Sequence, residues 1–121
     1  MGLARSIPLA ALAIALSSPA AAQQQSEVGY PAGSLGFEAI MKSDFAAAER
    51  QIRTSGLSQY DPAVSLNLGY VYANTGRTDK AVKLFVRVLA EDEMELILAD
   101  ESSISSHDAA RKALAALARS R

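Results

Sequence analysis

Few residues in this chain are of a type that does covalent or metal chemistry, and their pattern argues against it. There is no cysteine, which removes disulfides, thiolate nucleophiles and Cys-based zinc sites. His107 is the one histidine, so a His-based metal site or a Ser-His-Asp triad lacks its parts. It falls in the first turn of an expected helix, where the helix dipole disfavours a charged imidazole, and it reads as a surface or capping residue. Glu91, Asp92, Glu93 and Glu95 form the densest acidic group. They lack EF-hand spacing and its glycine at the sixth place, and they read as a solvated helix end. Ser102, Ser103, Ser105 and Ser106 read as turn and cap hydroxyls. A Ser–Lys dyad with Lys112 has no strained turn or oxyanion-hole motif behind it, and no Gly-rich phosphate loop is present. The sequence therefore predicts no catalytic residue, no metal and no cofactor. What remains is the aromatic pair Tyr70 and Tyr72, whose use depends on the elements that carry it.

Those elements belong to one domain, since 121 residues leave room for no more. Twelve Lys and Arg face thirteen Asp and Glu, far from the basic footprint of a nucleic-acid binder. The N-terminus reads as an address. Arg5 supplies a positive start, Ile7 to Leu16 an apolar run interrupted by Pro8, and Ala20-Ala21-Ala22 the small residues of a cleavage site. The apolar run is too short for the roughly 20 residues that span a bilayer, so an uncleaved anchor is the weaker reading. Residues 1–22 are expected to be a signal peptide cut before Gln23, with the mature chain in a bacterial periplasm and no stable membrane anchor. A lipoprotein is excluded, because no cysteine is there to be lipidated. Residues 23–33 are polar, with Gly and Pro breakers, and read as a disordered linker. Tyr30 within them reads as a loose contact on the first helix.

From Pro62 to Glu91 the pattern is helical. Asp61-Pro62 pairs a capping carboxylate with proline at the first helical position. Leu66, Tyr70 and Ala73 recur at helical spacing, as do Ala63, Leu68 and Tyr72 on a neighbouring line. Gly76 supplies a left-handed stop. A second helix follows from Thr78-Asp79, apolar at Ala81, Val82, Phe85, Val86, Val88 and Leu89. A short turn between them predicts an antiparallel pair.

Leu68-Gly69, Tyr72, Gly76, Ala81 and Phe85 stand at the offsets of the tetratricopeptide repeat (TPR), and residues 62–93 resemble that family. Ser65 departs from it at the aromatic position and Glu93 at the terminal proline. The resemblance implies that Gly69 and Ala81 allow close helix approach, that Leu68, Tyr72 and Phe85 pack between helices, and that Gly76 turns the corner. A weaker copy lies 33 positions upstream. Leu35-Gly36 maps onto Leu68-Gly69, Ser43 onto Gly76, Ala48 onto Ala81 and Ile52 onto Phe85. Its helices are expected at about 34–41 and 45–53, with Gly56 as the stop and Lys42-Ser43-Asp44 as the turn. The repeat-like units thus run over about 34–60 and 61–93.

After Glu93 the repeat is lost. Residues 94–105 read as a β-hairpin turning at Asp100-Glu101-Ser102, with a ragged extension of the preceding helix as the rival. Ser105-Ser106-His107-Asp108 then starts a final helix over 106–120, apolar at Ala110, Ala113, Leu114 and Leu117, suited to cap a short stack. The expected fold is mainly all-α, in antiparallel TPR-like pairs, with a short hairpin and a C-terminal capping helix.

The TPR resemblance implies a concave groove lined by Ala63, Leu66, Tyr70, Ala73 and Asn74, which is apolar with an aromatic at its centre. On that reading Tyr70 anchors a peptide or helix of another envelope protein, and the chain is an adaptor or scaffold without catalysis. The rival for the groove is that the N-terminal linker or the final helix covers it. The rival for the function is a self-associating structural protein, since a stack this short has exposed ends.

Overall fold

The computed structural model describes residues 29–98 and 100–120. The expected signal peptide, and residues 23–28 of the expected linker, lie outside the described residues. Within them the chain is mostly helical, with one small antiparallel sheet: α1 (Phe37–Met41), α2 (Phe45–Arg53), α3 (Pro62–Ala73), α4 (Thr78–Ala90), β1 (Glu95–Ile97), β2 (Ser103–Ser105) and α5 (Ser106–Arg119).

Local chemistry sets the helix boundaries. Asp61 is the N-cap of α3 and its carboxylate accepts the Ala63 N–H at 2.8 Å, with Pro62 in the first turn. Asp44 does the same for α2 through the Ala47 N–H, and Ser105 for α5 through the Asp108 N–H. Each side-chain oxygen satisfies one of the donors that a helix start leaves open. Two turns are built alike, 33 residues apart. Ser43 and Gly76 both sit in the left-handed region, at φ 59° and 80°. In the first turn the Asp44 N–H reaches back to the Ala39 carbonyl at 2.8 Å; in the second the Arg77 N–H reaches the Tyr72 carbonyl at 2.9 Å. This is the six-to-one bond of a Schellman stop, and every residue of one maps onto the other by the same shift.

The first helix pair is nevertheless shorter than the second. Its opening helix starts at Phe37 rather than near Ser34, because Gly36, its N-cap, is left-handed at φ 67°. A Cβ on Gly36 would meet the Ala48 backbone at 3.2 Å, so the chain enters α1 pressed against α2. The equivalent Gly69 lies inside α3, where helical geometry continues.

α3 is the axis of the molecule. It is apolar on every side, the composition of a helix buried all round, and it packs against α2, α4 and α5. Its contact with α4 is the most extensive in the fold, followed by that of α4 with α5. By contrast α2, α4 and α5 are one-sided. α5 turns inward Ala109, Ala110, Ala113, Ala116 and Leu117 and leaves Arg111, Lys112 and Arg119 outside. The hairpin pairs Glu95 with Ser105, Leu96 with Ile104 and Ile97 with Ser103. Its turn carries Glu101 at φ 70°. Ser106, fully buried, fastens the sheet to α5: its Oγ accepts the Met94 N–H, and its own N–H donates to the Met94 carbonyl at 2.7 Å.

Candidate binding cleft

The face expected to form a groove is closed over most of its length. Ala63, Leu66 and Tyr70 are 0, 1 and 8% exposed; only Ala73 and Asn74 reach partial exposure. The cover on Tyr70 is Phe45, the first residue of α2, whose ring lies 6.1 Å away at 58°. Burial pushes the Tyr70 hydroxyl pKa upward. Asn67, on the same helix, is buried and donates its Nδ2–H to the Leu35 carbonyl at 2.9 Å. Phe45 of α2 is thus part of what closes over Tyr70. Ala63, Leu66 and Tyr70 are core, and the groove reading fails there because that face of α3 is covered by neighbouring elements.

The expected packing residues fall as follows. Ala81 and Phe85 are fully buried, Tyr72 nearly so, and Gly76 is an exposed turn residue. A Cβ on Gly69 would lie 2.5 Å from Phe85 Cε1, so the ring of Phe85 occupies the room that the glycine leaves. Leu68 is only half-buried, because one side of it borders a cleft.

That cleft lies between the end of α2, the loop before α3, and the outer sides of α3 and α4. It has a volume of about 350 Å³, within the range of small-ligand sites. Ile52, Leu57, Val64, Leu68 and Leu84 give it apolar walls; Arg53, Gln59, Ser65, Tyr72 and Arg87 give it polar ones. Ser65 is small and buried and donates its hydroxyl to the Gln59 carbonyl at 3.0 Å. Arg87 Nη2 donates to the same carbonyl at 2.8 Å, and its guanidinium lies 4.9 Å from the centre of the exposed Tyr60 ring. Its Nε–H is buried with no hydrogen-bond partner.

Beside the cleft sits a charged cluster centred on Tyr72. The Tyr72 ring faces Arg77 at 4.6 Å, Lys80 at 5.6 Å and Arg53 at 5.8 Å, a cation–π arrangement. Arg53 also donates to the Tyr72 hydroxyl. Glu49 of α2 accepts from Arg77 at 2.8 and 3.1 Å and from Arg53 at 3.0 Å. Arg77 first, and then Arg53, hold the Glu49 carboxyl below its ordinary pKa. This bidentate pair joins α2 to the turn before α4. No helical period reveals it, since Glu49 and Arg77 lie 28 residues apart.

Elsewhere the polar residues have structural partners. His107 Nε2–H donates to the Glu91 carbonyl at the end of α4, at 2.8 Å. Glu91, Asp92, Glu93 and Glu95 are exposed, and among the described residues no group of three or more His, Cys, Asp or Glu is placed to hold a metal ion. Ser105 caps α5, Ser106 fastens the hairpin, and Ser102 donates to Asp100. Tyr30, expected in a loose linker, instead donates to both oxygens of the Asp61 carboxylate, at 2.9 and 3.0 Å. Burial and then Asp61 drive its pKa far upward. The phenol thus anchors residues 29–33 to the start of α3, a long-range contact that composition does not announce. No helix among the described residues is long and apolar enough to cross a membrane.

Comparison of the chain with known family models, with curated proteins and with solved structures finds no match.

Proposed function

We propose that this chain is an exported protein-interaction module of the bacterial cell envelope, built from two TPR-like antiparallel helix pairs and acting without catalysis. The observation that carries the reading is the cleft. It is mixed in character, large enough for one bulky side chain, and walled by both repeat-like units, so a partner that enters it touches both at once. The twin Schellman turns and the interlock of Gly69 with Phe85 support the repeat reading. The partner surface, however, is the cleft lined by Leu57, Leu68, Leu84 and Arg87, not the closed face around Tyr70. The cleavable N-terminal address supports a periplasmic location.

The test uses the whole chain, with its own N-terminus, in a Gram-negative host. A photo-crosslinking residue is placed at Leu84 in the cleft or at Lys112 on the exposed side of α5. The expected product is a periplasmic chain starting at Gln23, by mass spectrometry, with a discrete heterologous adduct from position 84 and none from 112. Retention of residues 1–22 in the cytoplasm sinks the export reading. Adducts of the chain with itself alone, with a stable dimer in light scattering, favour the self-associating alternative. Val86 and Met94, both large and about half exposed, would be natural parts of such a contact.

A further inference from the structure

We infer that the outer face of α4 pairs with the same face of a second copy of this chain, antiparallel and about a two-fold axis near Val86. Lys83, Val86 and Ala90 recur at helical spacing and are exposed, while Ala81, Phe85 and Val88 hold the inner face. Lys80 flanks that stripe and is exposed as well. Val86 keeps half of its surface in solvent, and Met94, just past the helix, nearly as much. The charge along this face changes sign. Lys80 and Lys83 stand in its first half, against the single acid Asp79; Glu91, Asp92 and Glu93 follow its end, all exposed. Lys80, Lys83, Glu91, Asp92 and Glu93 form no ion pair among the described residues. At a rise of about 1.5 Å per residue the lysines and the acids stand roughly 12 Å or more apart, so they cannot meet within one chain. The acids also lie at the end where the helix dipole disfavours negative charge.

A two-fold axis across the helix reverses its direction, so each contact between the copies is made twice. The lysines of each copy then meet the acids of its partner, and the two Val86 side chains meet at the centre. The same cations relieve the acids at each helix end. Charge selects a second copy over other occupants. An acidic or a basic partner complements one half of the face and repels the other, and an anionic lipid surface is repelled by the three acids. One helix face buries less area than an obligate interface, so the dimer is weak, reversible and salt-sensitive. Each residue turns about 100° around the helix, which puts Leu84 on the side of α4 away from Val86. The cleft that Leu84 lines therefore stays open in the dimer, and this inference goes beyond the cleft reading without resting on it.

Sedimentation velocity of the whole chain should show a reversible monomer–dimer equilibrium, with a dissociation constant that rises at least about 10-fold between low and high salt. Lys80→Glu with Lys83→Glu in one variant, and Glu91→Lys with Glu93→Lys in another, should each weaken self-association at least about 10-fold, since like charges then face each other. Mixed in equal amounts, the two variants should associate again, as a one-to-one dimer and nothing larger, because both contacts are restored. All four positions are exposed, so Tm should move by no more than a few degrees. The chain has no cysteine of its own. Val86→Cys should therefore oxidise to a disulfide-linked dimer much faster than Lys112→Cys, on the outer side of α5. A monomer at every concentration, association that ignores salt or the charge reversals, a mixture that stays monomeric, species beyond the dimer, or equal oxidation at positions 86 and 112 overturns the proposal. A monomeric chain that still cross-links a foreign partner from position 84 loses the dimer and keeps the interaction module; a dimer with no foreign adduct does the reverse.

Discussion

Gly69 and Phe85 divide one volume between them. With a Cβ only 2.5 Å from the Phe85 ring, any larger residue must displace a side chain that is itself fully buried. Overpacking of this kind costs about 1–3 kcal/mol or more, against which alanine regains about 1 kcal/mol of helix propensity. We expect Gly69→Leu to lose about 3 kcal/mol and Gly69→Ala about 1 kcal/mol, by urea unfolding. In a Phe85→Leu background Gly69→Ala should be neutral or stabilising, a coupling of about 1 kcal/mol; additive losses would show that the two do not share the space. Tyr70 belongs to the same scale. As a core aromatic packed on Phe45, Tyr70→Ala should cost about 3 kcal/mol or more. A melting curve that does not move would reopen the face as a binding surface.

At the scale of elements, the twin turns make a paired expectation. Ser43 holds a left-handed conformation that costs a non-glycine residue roughly 1–2 kcal/mol, while Gly76 holds the same conformation freely. Ser43→Gly should stabilise by about 1 kcal/mol and Gly76→Ser destabilise by a similar amount in thermal melts; a loss in both would mean that the Ser43 side chain contributes where no hydrogen bond is seen. The bridge between units adds a pH dependence. Glu49 has a lowered pKa in the folded state, so its contribution is present above the ordinary carboxylate value and is lost as pH falls through the lower, folded value. The pair is partly exposed and screened, so Glu49→Gln should cost less than about 1 kcal/mol at neutral pH. The difference should shrink as pH falls through that lowered value, and a gap that persists once the carboxyl is protonated would point to packing rather than charge. These elements were largely legible in the sequence where local chemistry decides: Asp61-Pro62, Ser105, Gly76 and the hairpin all declare themselves through caps, turn residues and alternation. The start of α1 was not, because Gly36 is read as a helix residue by analogy with Gly69, whereas its left-handed backbone excludes it.

For the molecule as a whole, the legible and the hidden divide along tertiary contact. Whether Tyr70 faces solvent depends on Phe45, 25 positions upstream and on another helix; no periodicity within α3 carries that information. Ser65 stood out only as a departure from the aromatic position of the repeat; the cleft it lines was not expected, because Arg87 and the 54–61 loop that complete it come together only on folding. The enclosure of α3 gives a further expectation. In native-state hydrogen exchange the amides of Leu66 to Tyr72 should be the slowest in the chain, opening only with global unfolding, while α1, five residues long, exchanges by local opening. Faster exchange in α3 than in α5 would contradict its place at the centre.

α5 follows the other described elements in sequence but supplies a wall of the core, packing on both α3 and α4. During synthesis the first four helices emerge before the element that covers their shared apolar side exists. Burial of that side, and the cooperative fold with it, must therefore wait until Ser106–Arg119 has been made.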